Sequence, residues 1–312
     1  LEGARKAVED VGGMAAIRDD IKRIDAIANQ FGAFEAILQQ RPADAAALLG
    51  EHAPALKEIE AFESKYAEFL KQNNADTAQI RRELQSARGT LDGVTQLKTQ
   101  YREWVIDRAS RQMEEAAMII ERGVAERRPA FFGENGGVTQ QLRMSDDLVR
   151  LAVAIDAGSA MPLVERLGAL KAKGKQAGDA LKAEIIAANQ LPSDAYRGSD
   201  ADALKAQAKR LWLERNPGDE VVHVAIPTPQ WTRETKWTWF NDAFYFTDRS
   251  DLQAAVVFKA KSETGEPELH WYPVDITKDH QNGDALKFSP WVKEPLDQLT
   301  VHRRLLPDKL KQ

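Results

Sequence analysis

The strongest constraint in this sequence is a segment of about fifty residues, from position 76 to 127. Ile80, Leu84, Ala87, Leu91, Val94, Tyr101 and Val105 recur there at spacings of mostly four and three. The stripe then shifts through Ala109, Met113, Ala116 and Ile120, as a stutter in a coiled-coil seam does. An unbroken helix of that length would be ~75–80 Å long. Such a helix cannot be buried in one globule, so the expectation is an elongated antiparallel bundle of helices.

The flanking segments supply partners for it. Ile17, Ile21, Ile24, Ala28, Phe31 and Leu38 form one heptad-like stripe, with Gly12-Gly13 fraying its start and Arg41-Pro42 ending it. Leu56, Ile59, Phe62, Tyr66 and Phe69 form a second, and Pro54 fits the first turn of that helix better than its interior. The stretch NNAD at 73–76 is a tight connection. Pro129 and three glycines in RRPAFFGENGGVTQQ stop any helix at 127–141. Helices are expected to resume at 145–156 and at 160–189, the latter with Leu163, Leu167, Leu170, Gly174, Ala177, Leu181 and Ile185 in register.

Aromatic usage marks a change of architecture. Of the 7 Trp, only Trp104 precedes residue 210. Beyond LPSDAYRGSD, read as a linker at 191–200, a helix at about 200–214 ends at NPGD. Alternating strands follow: Val222, Val224 and Ile226, then a hairpin turning at Asn241-Asp242, then Leu252, Ala254, Val256 and Phe258 after a turn at TDRSD. Leu269 and Trp271, and finally Leu299, Val301 and Leu305, complete the set. The expected fold is α+β with two domains. Residues 1–195 form the helical bundle, and 196–312 form a mostly antiparallel sheet of four to six strands with one packing helix.

The stretch WTRETKWTWFNDAFYF at 231–246 holds seven aromatic residues. A turn at Asn241-Asp242 puts Trp237, Trp239, Phe244 and Phe246 on one face, expected to be core under the preceding helix. Trp231, Tyr245, His270 and Tyr272 are left as candidate ligand-binding residues on an outer face, suited to stacking a sugar or a side chain. Phe131 and Phe132 in the PAFF loop are candidate partner-binding residues if that loop is a docking tip. The alternative is that they tuck back under the helix ends.

Catalytic and metal motifs give little. GALKAKGK at 168–175 lacks the spacing and the hydroxyl residue of a phosphate loop. DAGSA around Ser159 reads as a helix end followed by a cap. Asp275, Asp279, His280 and Asp284 cluster in DITKDHQNGD, yet Lys278 and His280 fall where a calcium loop needs acids. His223, His270 and His302 lie on expected strands and would serve a metal or acid–base site only if they converged. No cofactor or metal is expected. With no cysteine, disulfides and thiolate chemistry are excluded.

The net charge of −5 gives no electrostatic reason to expect nucleic acid, and no apolar run approaches the ~20 residues of a membrane span. The chain starts at Leu1 rather than Met, which leans toward an exported or periplasmic protein that has lost a signal or lipid-anchor segment. The sequence therefore reads as a non-enzymatic interaction or scaffold protein of the bacterial cell envelope. Its partner would be another protein or an envelope component, and homo-oligomers could form through the bundle. Two other readings stay open: a module binding a glycan, peptide or cell-wall fragment on an aromatic sheet face, and a hydrolase using His and Asp residues of 270–302.

Overall fold

The computed structural model describes residues 13–261, 267–291 and 300–311. Gly12, Leu299 and the 262–266 connection lie outside the described residues. Helices come first: α1 (Gly13–Asn29), α2 (Phe34–Gln40), α3 (Pro42–Lys65), α4 (Ala67–Leu70), α5 (Ala75–Ala125), α6 (Gly137–Ile155), α7 (Ala157–Ala188) and α8 (Ala201–Arg215). Six strands follow: β1 (Glu220–Ala225), β2 (Thr232–Phe240), β3 (Ala243–Lys261), β4 (Pro267–Asp279), β5 (Ala285–Pro290) and β6 (Arg304–Leu305). Among the described residues, no helix is long and apolar enough to cross a membrane. The chain divides into two units, 1–122 with 134–175, and 123–133 with 176–312. Two of the three boundaries fall inside α5 and α7, the third in the connection before α6, and the 191–200 segment belongs wholly to the second unit.

In the first unit α5 is the shared partner. Its start is capped by Asn74, whose side-chain oxygen accepts from the Thr77 N–H at 2.9 Å and the Thr77 hydroxyl at 3.0 Å. Arg18–Asp76 and Tyr101–Glu35 contacts run up α5 beside α1 and α2. Lys65–Asp20 and Arg23–Glu58 pairs show α3 running back against α1. Further along, Gln112 meets Gln141 of α6, and Glu121 meets Lys173 of α7. The shift of the α5 stripe near Tyr101 marks this exchange of partners. All the apolar positions of the long stripe are buried except Tyr101, which is half-buried with its hydroxyl bonded to Glu35.

Four local expectations need correction. Pro54 lies inside α3 rather than in a first turn, which Pro42 occupies. The carbonyl it leaves without a partner belongs to exposed Gly50, where water can bond it. Leu56 is only half-buried, and the stripe passes through Ala55 instead. The first stripe breaks at residues 30–33 before Arg41, and α6 begins at Gly137, earlier than position 145.

The sheet is wholly antiparallel, with path β1-β3-β4-β5; β2 also pairs with β3, and β6 with β4. Helix α8 covers one face. Leu204, Ala208 and Trp212 pack there on Leu252, Ala254, Val256, Phe258, Tyr272, Val274 and Ile276. The 191–200 segment is pinned to the end of β1: the Ala195 and Tyr196 N–H groups donate to the Ile226 carbonyl, and the Ile226 N–H donates to Asp194. A second cluster of Val257, Leu269 and Leu305 covers part of the other face. Val301 lies in a 3-10 turn rather than in the last strand.

TDRSD is not a turn. It is the middle of β3, a strand of 19 residues. Each charged side chain there meets a partner on a neighbouring strand: Asp248 meets Arg233, Arg249 meets Glu234, and Asp251 accepts from Thr277. Cross-strand pairing overrides the turn-like composition.

Candidate functional site

The hairpin at Asn241-Asp242 forms as the sequence suggests. Both residues take positive φ, 48° and 58°, the two-residue turn whose twist suits paired strands. The register is Phe240↔Ala243, Trp239↔Phe244, Thr238↔Tyr245 and Trp237↔Phe246. What the sequence does not reveal is where the third strand stops. β4 pairs with β3 only from Arg249 onward. The six pairs from Thr235↔Asp248 to the turn are therefore a two-stranded ribbon with no further strand beside it among the described residues.

Trp237, Trp239, Phe244 and Phe246 are consequently not core. Together with Phe240 and Tyr245 they are between 37% (Phe246) and 68% (Trp237, Phe244) exposed. The physical reason is reach. Helix α8 has 15 residues, and its buried side chains engage β3 from Leu252 to Phe258 and β4 from Tyr272 to Ile276. No core is left for residues beyond Thr235.

A lone two-stranded ribbon is marginal in water. Two features support this one. Trp237 and Phe246 rings meet across the ladder at 4.9 Å and 42°, and Trp239 and Phe244 at 4.6 Å and 62°. At the base, Arg233 donates two 2.8 Å bonds to Asp248, and Glu234 is held between Lys236 and Arg249. The Arg233 bond holds the Asp248 carboxyl below its ordinary pKa, and the Lys236 bond does the same for Glu234. The result is a charged base, an uncharged aromatic middle and a polar tip.

The four residues expected to share an outer face are not brought together. Tyr272 and His270 are 2% and 3% exposed. The register pairs Tyr272 with Val256 and His270 with Phe258, so both lie on the α8 side, and Trp271 and Leu269 take the other face. Trp231 is half-buried against the same core. Its indole N–H donates to the Tyr196 hydroxyl at 2.9 Å, and the Lys278 ammonium lies 4.5 Å from its ring centroid. Only Tyr245 stands in the open, on the ribbon face opposite the four rings.

Phe131 and Phe132 form a 3-10 turn at Pro129–Phe132. Phe132 packs against Leu181, Ile185 and Val301, and the Arg128 guanidinium covers Phe131. This is the tucked-back arrangement. Glycines make room for it: a Cβ at Gly178 would lie 2.8 Å from the Phe132 Cβ, and one at Gly123 2.9 Å from its ring.

The acidic turn also resolves. Asp279 accepts from the Gln281 N–H and the Asn282 amide, while Asp275 accepts from Gln253 and from the Trp291 indole. Among the described residues, no group of three or more His, Asp or Glu is placed to hold a metal ion. His302 is exposed in a 3-10 turn, whereas His270 is buried on β4.

Sequence reasoning missed one constellation. His280 Nδ1 lies 2.6 Å from Asp284, and its Nε2 lies 2.8 Å from the Ser250 hydroxyl. A carboxylate only accepts, so Nδ1 carries the proton and, in the neutral ring, Nε2 accepts from Ser250. The connectivity matches an orienter, a base and a nucleophile. Yet Ser250 is 6% exposed and sits mid-strand, paired on both sides with Arg233 and Lys278. Its neighbouring N–H groups are part of a ladder, not an oxyanion pocket. The arrangement is a latch that ties the 280–284 turn to β3.

The other face of the sheet carries a shallow polar cleft of about 840 Å³. Arg249, Asp251, Gln253, Asp275, Thr277 and Lys287 line it. No family model, curated protein or solved structure matches this chain.

Proposed function

We propose that this chain is a non-enzymatic interaction protein whose docking element is the aromatic ribbon of its sheet domain. The observation that carries the reading is the exposure of six rings on residues 237–246. Taking ~150–250 Å² per aromatic side chain, these rings show roughly 700 Å² of aromatic surface to water. The four rings on one face account for roughly 500 Å² of it, in the upper part of the about 300–600 Å² of the largest apolar patch on an ordinary monomer, a patch that is often functional. Aromatic residues in an exposed, uncharged cluster are also what interface centres are made of.

The test is photo-cross-linking. A benzophenone side chain is placed at Phe244, with Met118, an exposed helix residue, as control. Adducts formed at 244 and not at 118 are expected, with a partner of the same or another chain. Equal yields at both positions would remove the ribbon as docking element.

The ligand-binding alternative is favoured by one other feature, the polar cleft. Its mixture of carboxylate, amide, hydroxyl and cationic groups suits a polyhydroxyl or peptide ligand. Calorimetric titration with soluble cell-wall fragments would show heat that is lost in Asp275→Asn; absence of heat in the wild type removes this reading.

A further inference from the structure

We infer that two copies of this chain clasp their ribbons face to face, through Trp237, Trp239, Phe244 and Phe246. This rests on the reading of the ribbon as docking element and names its occupant.

Three observations select a second copy. The first is chemical. The four rings share one face of the ribbon with no charged side chain between them, and Lys236 lies on the opposite face. A two-fold axis sets that face against itself, so an apolar surface meets an equally apolar one and no unpaired charge is buried. An antiparallel clasp also brings the Asp242 tip of one ribbon near Arg233 at the base of the other.

The second is size. At ~150–250 Å² per side chain and the observed exposures, the four rings offer roughly 500 Å² per copy. A pair would bury about 1,000 Å², the lower limit for specific association. A weak dimer follows, one that forms and dissociates within an accessible concentration range.

The third is that shape and charge disfavour a sugar or a lipid as occupant. Cross-strand rings inclined at 42° and 62° to each other give no flat platform for a sugar. The tip is Asn241-Asp242, and insertion into lipid would strip water from that carboxylate.

Sedimentation velocity on the full chain, from about 1 to about 200 µM, brackets the expected weak association. The mean mass is expected to rise from monomer toward dimer. In the Trp237→Ser/Phe244→Ser double variant the association weakens at least about tenfold, with a retained cooperative thermal transition as the check that the chain stays folded. The sequence contains no cysteine, so single cysteines give an independent measurement. Trp239→Cys on the clasping face forms a disulfide-linked dimer under mild oxidant, and Thr238→Cys on the opposite face does not. A constant monomer mass at every concentration overturns the clasp. If that monomer instead shifts its Trp emission on phosphatidylglycerol vesicles, self-pairing fails while the docking ribbon stands with a lipid occupant. A dimer that survives in the double variant, with no disulfide link in Trp239→Cys, places the contact elsewhere and overturns the ribbon's role as well.

Discussion

Trp237 and Phe246 meet across an antiparallel ladder at 4.9 Å, yet both rings remain open to water. A pair of this kind contributes ~0.2–1 kcal/mol to a hairpin, not the energy of a core. Trp237→Ser is therefore expected to lower global stability by less than about 1 kcal/mol. Trp212→Ala, which empties the fully buried site between α8 and Phe258, should lose about 3–5 kcal/mol. Parallel urea unfolding of the two variants decides the matter; equal losses would mean the ribbon is packed after all.

Gly178 and Phe132 provide a packing test in the PAFF loop. Gly178→Ala sets a Cβ 2.8 Å from the Phe132 Cβ, where neither a ring flip nor a rotamer change relieves it. A loss of about 1–3 kcal/mol is expected. Gly50→Ala, with nothing within 4 Å in the middle of α3, should gain ~0.5–1 kcal/mol from helix propensity. Opposite signs in thermal unfolding are the required outcome.

The His280 latch predicts stability without chemistry. His280→Ala removes bonds to Ser250 and Asp284 and should lower stability by about 1–2 kcal/mol, with faster amide exchange across 280–284. A fluorophosphonate reagent should leave Ser250 unmodified. Covalent labelling at Ser250 that disappears in His280→Ala would move the chain into the hydrolase class.

Asp194 sets an acid limit on the sheet domain. Burial pushes its carboxyl pKa up, but bonds from Lys205 and the Ile226 N–H outweigh this, and the net shift is downward. A folded pKa below the unfolded value stabilises above the ordinary carboxylate range and loses that contribution as pH falls through the folded pKa. The stability gap between wild type and Asp194→Asn should be largest above about pH 4 and shrink below it. A gap constant from neutral to strongly acid pH would show that the charge at Asp194 contributes nothing.

Much of this architecture is legible in local sequence because it rests on short-range physics. The 3.6-residue stripe of Ile80 to Ile120 specifies a helix that needs partners, whatever those partners are. Asn241-Asp242 specifies a tight turn, and once the turn is set, period two fixes that Trp237, Trp239, Phe244 and Phe246 share a face. The heptad of α7 and the Pro-Gly stops are equally local.

Whether a face is wet or dry is not local. Tyr272 and Leu269 lie on opposite faces of β4, and a one-residue choice of register against β3 decides which of them meets Trp212. The four rings of the ribbon have the composition of a core, but burial needs a covering element, and α8 ends its reach before the ribbon begins. Ser250, His280 and Asp284 meet only because β4 returns beside β3 and hands the chain into the 280–284 turn. The helices, the hairpin and its pairing are written in the residues alone, since each follows from neighbours a few positions apart. Which aromatic residues face water was settled at the level of the assembled fold, because it depends on how far one helix extends over a sheet built from distant strands.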